Sequence, residues 1–480
     1  MKRTITLVFL LAAALPLRGQ TFQAFLNRVQ SAPDSQRTAI VDSFMAAVPR
    51  FPLTEGDTAC HFLYRGGASS VTVPGDANGW TPSSFPMTRI QGTDLWYFSR
   101  DFEPDARLDY KFVLNGSTWI LDPRNPYTVS GGFGPNSELR MPQYVPAPEI
   151  LPNPSIPHGQ IRDTVYASAA LGNSRTVRIY TPPGYGSPLD SFPLILFHDG
   201  LEYITLAQAN NVLDNLIAAQ LIQPVIAIFV PPVNRTAEYA GSQMGAFTTF
   251  IADELMPSID SRYRTRRAPS ARAVLGASNG GNISLHLGYN RPEVFGAVAA
   301  QSSNIVSSVF TSYQNGPLRD LRLYLDLGTY DIAQLIPLVR SFIPVLSSRG
   351  YPHQYVEYHE GHSWGNWRAH IDNALRMFFP GGAVFAGEKT LPGGERLLGE
   401  CYPNPFNPRT TIPLRMEQSG DASLTVVNLL GQTVAVLHEG PLAAGSHAFV
   451  WDALRTPAGV YFVRLKTPGG TDAKRLLLLR

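Results

Sequence analysis

Ala273-Val274-Leu275-Gly276-Ala277-Ser278-Asn279-Gly280 is the stretch that decides how this chain folds. A short apolar run meets a glycine, a serine and a second glycine, and a helical pattern follows at 283–290. That order is a buried strand, a sharp turn and a helix, the local geometry that lifts a serine hydroxyl off the end of a sheet. Working outward, apolar runs at 177–181, 194–197, 224–230, 271–275, 297–300, 321–327 and 354–358 read as strands. Helical patterns at 207–221, 244–259, 283–290 and 332–347 lie between them. Such alternation over 160–380 predicts a mainly parallel sheet with helices on both faces, and an active site beyond the carboxyl ends of its strands.

The whole chain, at 480 residues, is too long for one core and long enough for several domains. Residues 1–20 have a basic start, an apolar stretch and a short polar end, the layout of a signal peptide rather than of a membrane span. A helical segment is expected at 21–48, and short alternating runs broken by Gly, Pro and Asn predict a β-sandwich over 49–145. Linkers are read at 146–159 and 381–399, and a second β-rich domain at 400–480. No stable membrane span is expected in the mature chain. A net charge of +2, without a run of one sign, leaves no electrostatic footprint for nucleic acid. Cys60 and Cys401 fall in different domains, so a structural disulfide is not expected.

A neutral serine is a poor nucleophile, so ester cleavage needs a base beside it, an acid to orient the base, and donors for the oxyanion. The pattern Gly-x-Ser-x-Gly occurs twice, at Gly276–Gly280 and at Gly361–Gly365. Ser278 follows a strand, opens a helix, and has an acid and a histidine after it in chain order; Ser363 lacks that order. His362 is the favoured base, in a loop after the last strand, with His359 as its nearest rival. Asp331, past the end of a strand, is preferred to the strand-interior Asp326, because a loop carboxylate reaches an imidazole freely. The oxyanion donors are expected from Asn279 and from the turn Asp199-Gly200-Leu201.

Three resemblances follow from quoted residues. Phe197-His198-Asp199-Gly200-Leu201-Glu202-Tyr203, Gly276–Gly281, Gly328-Thr329-Tyr330-Asp331 and Gly361–Arg368 resemble the putative esterase family, which includes enterochelin, feruloyl and acetylxylan esterases. The resemblance implies an α/β-hydrolase fold and acyl transfer to water through a Ser278 acyl-enzyme. His362 is then base and later acid, Asp331 orients it, the amides of Leu201 and Asn279 form the oxyanion hole, and neither metal nor organic cofactor is needed. Asn279 departs from the family, which commonly has Met or Gln there. Tyr203, Trp364 and Trp367 are expected to line the substrate cleft.

The second resemblance lies in Val73-Pro74-Gly75-Asp76-Ala77-Asn78-Gly79-Trp80, Trp96-Tyr97 and Tyr110-Lys111-Phe112. These are similar to the N-terminal β-domain of glycogen-branching enzymes and isoamylases, which implies either glycan binding or packing on a catalytic domain. Trp80, Trp96 and Trp119 are the candidate sugar platform, although strand tryptophans are more often core. Third, Tyr402-Pro403-Asn404-Pro405-Phe406-Asn407-Pro408, with Gly459-Val460-Tyr461 downstream, is similar to the C-terminal sorting domain of type IX secretion substrates. It implies export by that machinery to the cell surface or beyond. The expected substrate is a carbohydrate-linked or phenolic ester; a siderophore trilactone is the enzymatic alternative, and a non-catalytic surface carbohydrate-binding protein is the alternative from another class.

Overall fold

The computed structural model describes residues 21–48, 50–186, 191–381, 397–399, 401–428, 432–454, 456–457 and 459–478. The expected signal peptide at 1–20 and nearly all of the linker at 381–399 lie outside them. The chain forms two compact units, Met1–Gly381 and Gly382–Arg480.

The first unit is organised by an eleven-stranded mixed sheet. Its middle is parallel, in the order Ile226–Val230, Leu194–His198, Arg272–Ala277, Ala297–Gln301, Arg322–Tyr330, His353–Gly361. Leu194–His198 and Ile226–Val230 are buried at every position. Strands covered on both faces read as continuous apolar runs, which is why these could be picked out from sequence. Side chains still alternate: Leu194, Leu196, Ile228 and Val274 enter one core, while Ile195, Phe197, Phe229 and Leu275 enter the other. Two antiparallel strands, Gln160–Ser168 and Asn173–Thr181, close one edge.

The other edge holds the main difference from the sequence reading. Strands Arg107–Tyr110, Gly134–Arg140 and Thr128–Gly131 come from the N-terminal β-region, yet they extend the central sheet, joined at the pairing of Glu360 with Arg107. The remaining N-terminal strands form a four-stranded and a three-stranded sheet. In the strand Ala59–Arg65, Cys60 and Phe62 enter a core with Trp96, Tyr110 and Phe112, while Leu63 faces the helices Phe22–Ser31 and Asp34–Ala47. Trp96 is thus core, whereas Trp119 is 42% exposed. The N-terminal region and the central sheet therefore share backbone pairing as well as packing.

In the second unit a four-stranded antiparallel sheet, Thr433–Leu442, Gly420–Val427, Gly459–Thr467 and Gly470–Leu478, is accompanied by the pair Arg409–Met416 and Gly445–Asp452. Phe406, Leu424, Trp451, Tyr461 and Val463 fill its core. Cys60 and Cys401 are both buried, at 0% and 7% exposure. Among the described residues no helix is long and apolar enough to cross a membrane.

Candidate active site

Strand Arg272–Ala277 delivers Ser278 to the carboxyl edge of the sheet, and helix Asn279–Asn290 starts immediately after it. Ser278 sits at φ 57°, ψ −121°, a conformation that an L-residue holds only where its surroundings over-determine it. Two constraints do so here. The Ser278 amide donates to Gln301 O at 2.8 Å, and strand and helix cross so closely that a Cβ on Gly276 would collide with the backbone of Gly280. Ser278 is part-exposed at the turn, and its hydroxyl makes no hydrogen bond among the described residues.

Asp331 and His362 leave the ends of neighbouring parallel strands, Arg322–Tyr330 and His353–Gly361. Asp331 Oδ1 lies 2.7 Å from His362 Nδ1 and accepts the Ile332 amide at 2.7 Å. The carboxylate side chain is fully buried while the imidazole is 18% exposed, so the ring alone faces solvent. Trp367 stands edge-on to that ring, with centroids 4.9 Å apart. With Nδ1 engaged by a carboxylate, Nε2 is the nitrogen free to take a proton. The rival residues lie elsewhere: His359 Nδ1 is 2.6 Å from Asp105, and Asp326 is buried, accepting from Gln301 Nε2 at 3.1 Å. Burial pushes the Asp326 carboxyl up to about 6. His198 is also buried, which holds its imidazole down to about 3 and so neutral.

Leu201 lies in the first turn of helix Gly200–Thr205, which begins after Asp199 at φ 51°. Asn279 opens its own helix. First-turn amides have no partner within a helix, and the dipoles of both helices point positive ends at the same strand edge. The Asn279 side chain is turned away to Asn304, whose Nδ2 donates to Asn279 Oδ1 at 2.7 Å. The departure at this position is therefore absorbed by a local partner.

The structure corrects one expectation. Tyr203 is fully buried, with its hydroxyl on Gln301 Oε1 at 2.9 Å, and Trp364 and Trp367 are 9% and 5% exposed within the same core. These three rings pack into the core instead of lining a cleft, each meeting the next edge to face: Tyr203 and Trp364 at 5.2 Å, Trp364 and Trp367 at 5.0 Å.

Two residues that the sequence reading passed over belong to the site's frame. Arg235 grips Asp199 with two bonds of 2.8 Å and donates to Ala277 O at 3.2 Å, tying the Leu201 turn to the serine strand. Gln301 accepts the Ser278 amide on its backbone and holds Tyr203, Asp326 and Trp367 O with its side chain. Neither lies in a local motif, so no signal in the sequence singled them out.

Residues 168–378 match the family profile described as Putative esterase, and residues 400–478 match that of the Secretion system C-terminal sorting domain. An uncharacterized protein of Bacillus subtilis (strain 168) is 26% identical over 234 residues, 46% of this chain and 97% of that protein. The iron(III) enterobactin esterase of Escherichia coli O6:H1 is 26% identical over 243 residues, 45% of this chain and 60% of the relative. An endo-1,4-beta-xylanase/feruloyl esterase of Xylanibacter ruminicola is 29% identical over 155 residues, 29% of this chain and 21% of that protein. Among solved structures, the enterobactin esterase of Shigella flexneri aligns with a TM-score of 0.59 at 22% identity, covering 70% of this chain and 97% of its own. At that identity the likeness is one of fold.

Proposed function

We propose that this chain, whose residues 168–378 belong to the putative esterase family and make it a carboxylic ester hydrolase, is an exported serine esterase acting on carbohydrate-linked acyl or feruloyl esters. The reading rests above all on the 2.7 Å bond between Asp331 and His362, on loops at the same carboxyl edge of the parallel sheet as the strained turn of Ser278. In the mechanism, His362 Nε2 takes the proton as Ser278 Oγ adds to the ester carbonyl. The new oxyanion is met by the amides of Leu201 and Asn279, and Asp331 stabilises the imidazolium. Collapse expels the alcohol, which receives that proton and leaves an acyl group on Ser278. Water, deprotonated by His362, repeats the addition and frees the acid.

The feruloyl direction is supported by the relative in Xylanibacter ruminicola and by the sorting tail, since a surface enzyme meets polysaccharide esters. A siderophore trilactone is the second reading. It is favoured by the fold likeness to an enterobactin esterase, which covers 70% of this chain and 97% of that one.

Ser278→Ala, assayed with p-nitrophenyl acetate beside the parent protein, tests the chemistry: loss of turnover is expected, and equal rates would remove Ser278 from the mechanism. Specificity constants for methyl ferulate, acetylated xylan and a catecholate trilactone then decide the substrate. Highest activity on the trilactone would replace the polysaccharide reading with the siderophore one.

A further inference from the structure

We propose that the N-terminal β-region is a positioning element of the catalytic centre, in which Arg107 and Glu103 fix the two loops that carry His362 and Asp331; this rests on the reading of those two residues as base and acid. The contacts converge on the residues adjoining each of them. On the base side, the fully buried Arg107 donates from Nη1 to Ser363 Oγ at 3.0 Å. Its remaining nitrogens are 2.6 Å from Asp109 and 3.1 Å from Glu138, so the guanidinium is clamped from the N-terminal side. Gly365 lies so close to this guanidinium, and Gly361 to the carboxyl group of Asp76, that a Cβ at either would collide with it. Asp76 is itself held by Trp80 Nε1 at 2.9 Å and by the Asp109 amide at 2.8 Å.

These contacts also account for the second pentapeptide. Gly361-His362-Ser363-Trp364-Gly365 places glycines where two N-terminal side chains press on the loop. Its serine has the extended conformation φ −144°, ψ 156° and caps helix Trp364–Phe378 by accepting the Asn366 amide. Ser363 is thus bonded to Arg107 on one side and to its own helix on the other, with His362 immediately before it.

On the acid side, Tyr330 precedes Asp331. Its hydroxyl donates to Glu103 Oε2 at 2.7 Å, and its ring packs on the N-terminal core beside Phe102, with centroids 6.1 Å apart. A domain that merely packed on the enzyme would have no reason to place polar bonds at positions 330 and 363. A catalytic pair displaced by about 1 Å can lose roughly a hundredfold in rate, so loops outside the sheet gain from such anchors. A planar, buried guanidinium is suited to this because its donors are fixed relative to one another.

The test uses the full chain and variants that leave no buried charge unpaired. Tyr330→Phe and Ser363→Ala are expected to lower kcat on p-nitrophenyl acetate by roughly three- to thirtyfold with KM within about twofold. They should slow phosphorylation of Ser278 by diethyl p-nitrophenyl phosphate to the same extent, because that reaction needs the serine and histidine but no substrate pocket. Glu103→Gln, whose amide oxygen still accepts the Tyr330 hydroxyl, should keep parental rates, whereas Glu103→Leu should match Tyr330→Phe. Ser363→Thr should restore what Ser363→Ala loses. If the Phe, Ala and Leu variants fold and keep kcat and the phosphorylation rate within about twofold of the parent, the positioning role is wrong, whether or not their Tm falls. If Ser363→Ala does not fold, Tyr330→Phe with the Glu103 pair decides alone. Failure of the triad reading looks different, since Ser278→Ala or His362→Ala would then retain turnover.

Discussion

Asp331 Oδ1 and His362 Nδ1 stand 2.7 Å apart, although 31 residues separate them along the chain. The separation is spanned by one helix and one strand, so the two residues emerge at the same sheet edge from neighbouring parallel strands. The carboxylate is buried and the imidazole is not, which suits a residue that orients and a residue that exchanges protons.

Asp331→Asn keeps the size of the side chain but removes the charge that holds Nδ1 protonated and stabilises the imidazolium. We expect kcat to fall by roughly 10³ to 10⁴ with little change in KM, as for loss of the acid in serine hydrolases generally. Steady-state kinetics on p-nitrophenyl acetate measures this, and a fall under about tenfold would shift the role to another carboxylate.

Asp326 lies within the strand Arg322–Tyr330 that leads to Asp331, and its environment gives it a different signature. Burial raises its pKa from 3.8 to about 6, so folding favours its protonated form. The associated stability is fully present below pH 4, and is lost as pH rises through 6. Its size is about 3 kcal/mol. Asp326→Asn removes this slope, so its Tm relative to the parent should rise between pH 4 and pH 7. Parallel Tm curves for the two proteins over that range would show that Asp326 carries no such penalty.

Arg235→Lys retains a cation near Asp199 but cannot reproduce two parallel bonds and the third to Ala277 O. The turn bearing Leu201 then loses its tie to the serine strand. A drop in kcat of about tenfold or more is expected, with the folded state kept because Asp199 still has a positive partner. An unchanged kcat in a folded variant would show that the turn is held by the Tyr239 bond to Asp199 alone.

Legibility in the sequence follows the range of the forces involved. Strands buried on both faces announce themselves as apolar runs, and the serine turn is local enough that a glycine on each side marks it. Asp331 and His362 could be chosen because strand ends in a parallel sheet share one edge. What escaped was set by contacts between distant segments. Arg107 reaches Ser363 across 256 residues and Tyr203 reaches Gln301 across 98, and no neighbour in sequence records either. The same holds for the N-terminal strands: their alternation reads as a separate sandwich, and the pairing of Arg107 with Glu360 joins them to the central sheet. Tyr203, Trp364 and Trp367 read as cleft residues from their position in sequence, which does not record that they pack on one another in the core.

The two units each have a core of their own, and the residues assigned to chemistry all lie before Gly381. Removal of residues 382–480 should therefore leave esterase activity on p-nitrophenyl acetate within about twofold of the full chain, because no catalytic group and none of the first unit's core clusters is lost. The same deletion removes the whole segment that matches the sorting domain, so in a host with a type IX system the truncated protein should accumulate in the periplasm while the full chain reaches the surface. Cell fractionation with activity as the marker reads both outcomes at once. Active truncated protein at the surface would show that export does not depend on the tail. Inactive truncated protein, soluble and with a parental Tm for its first transition, would show instead that the second unit contributes to catalysis.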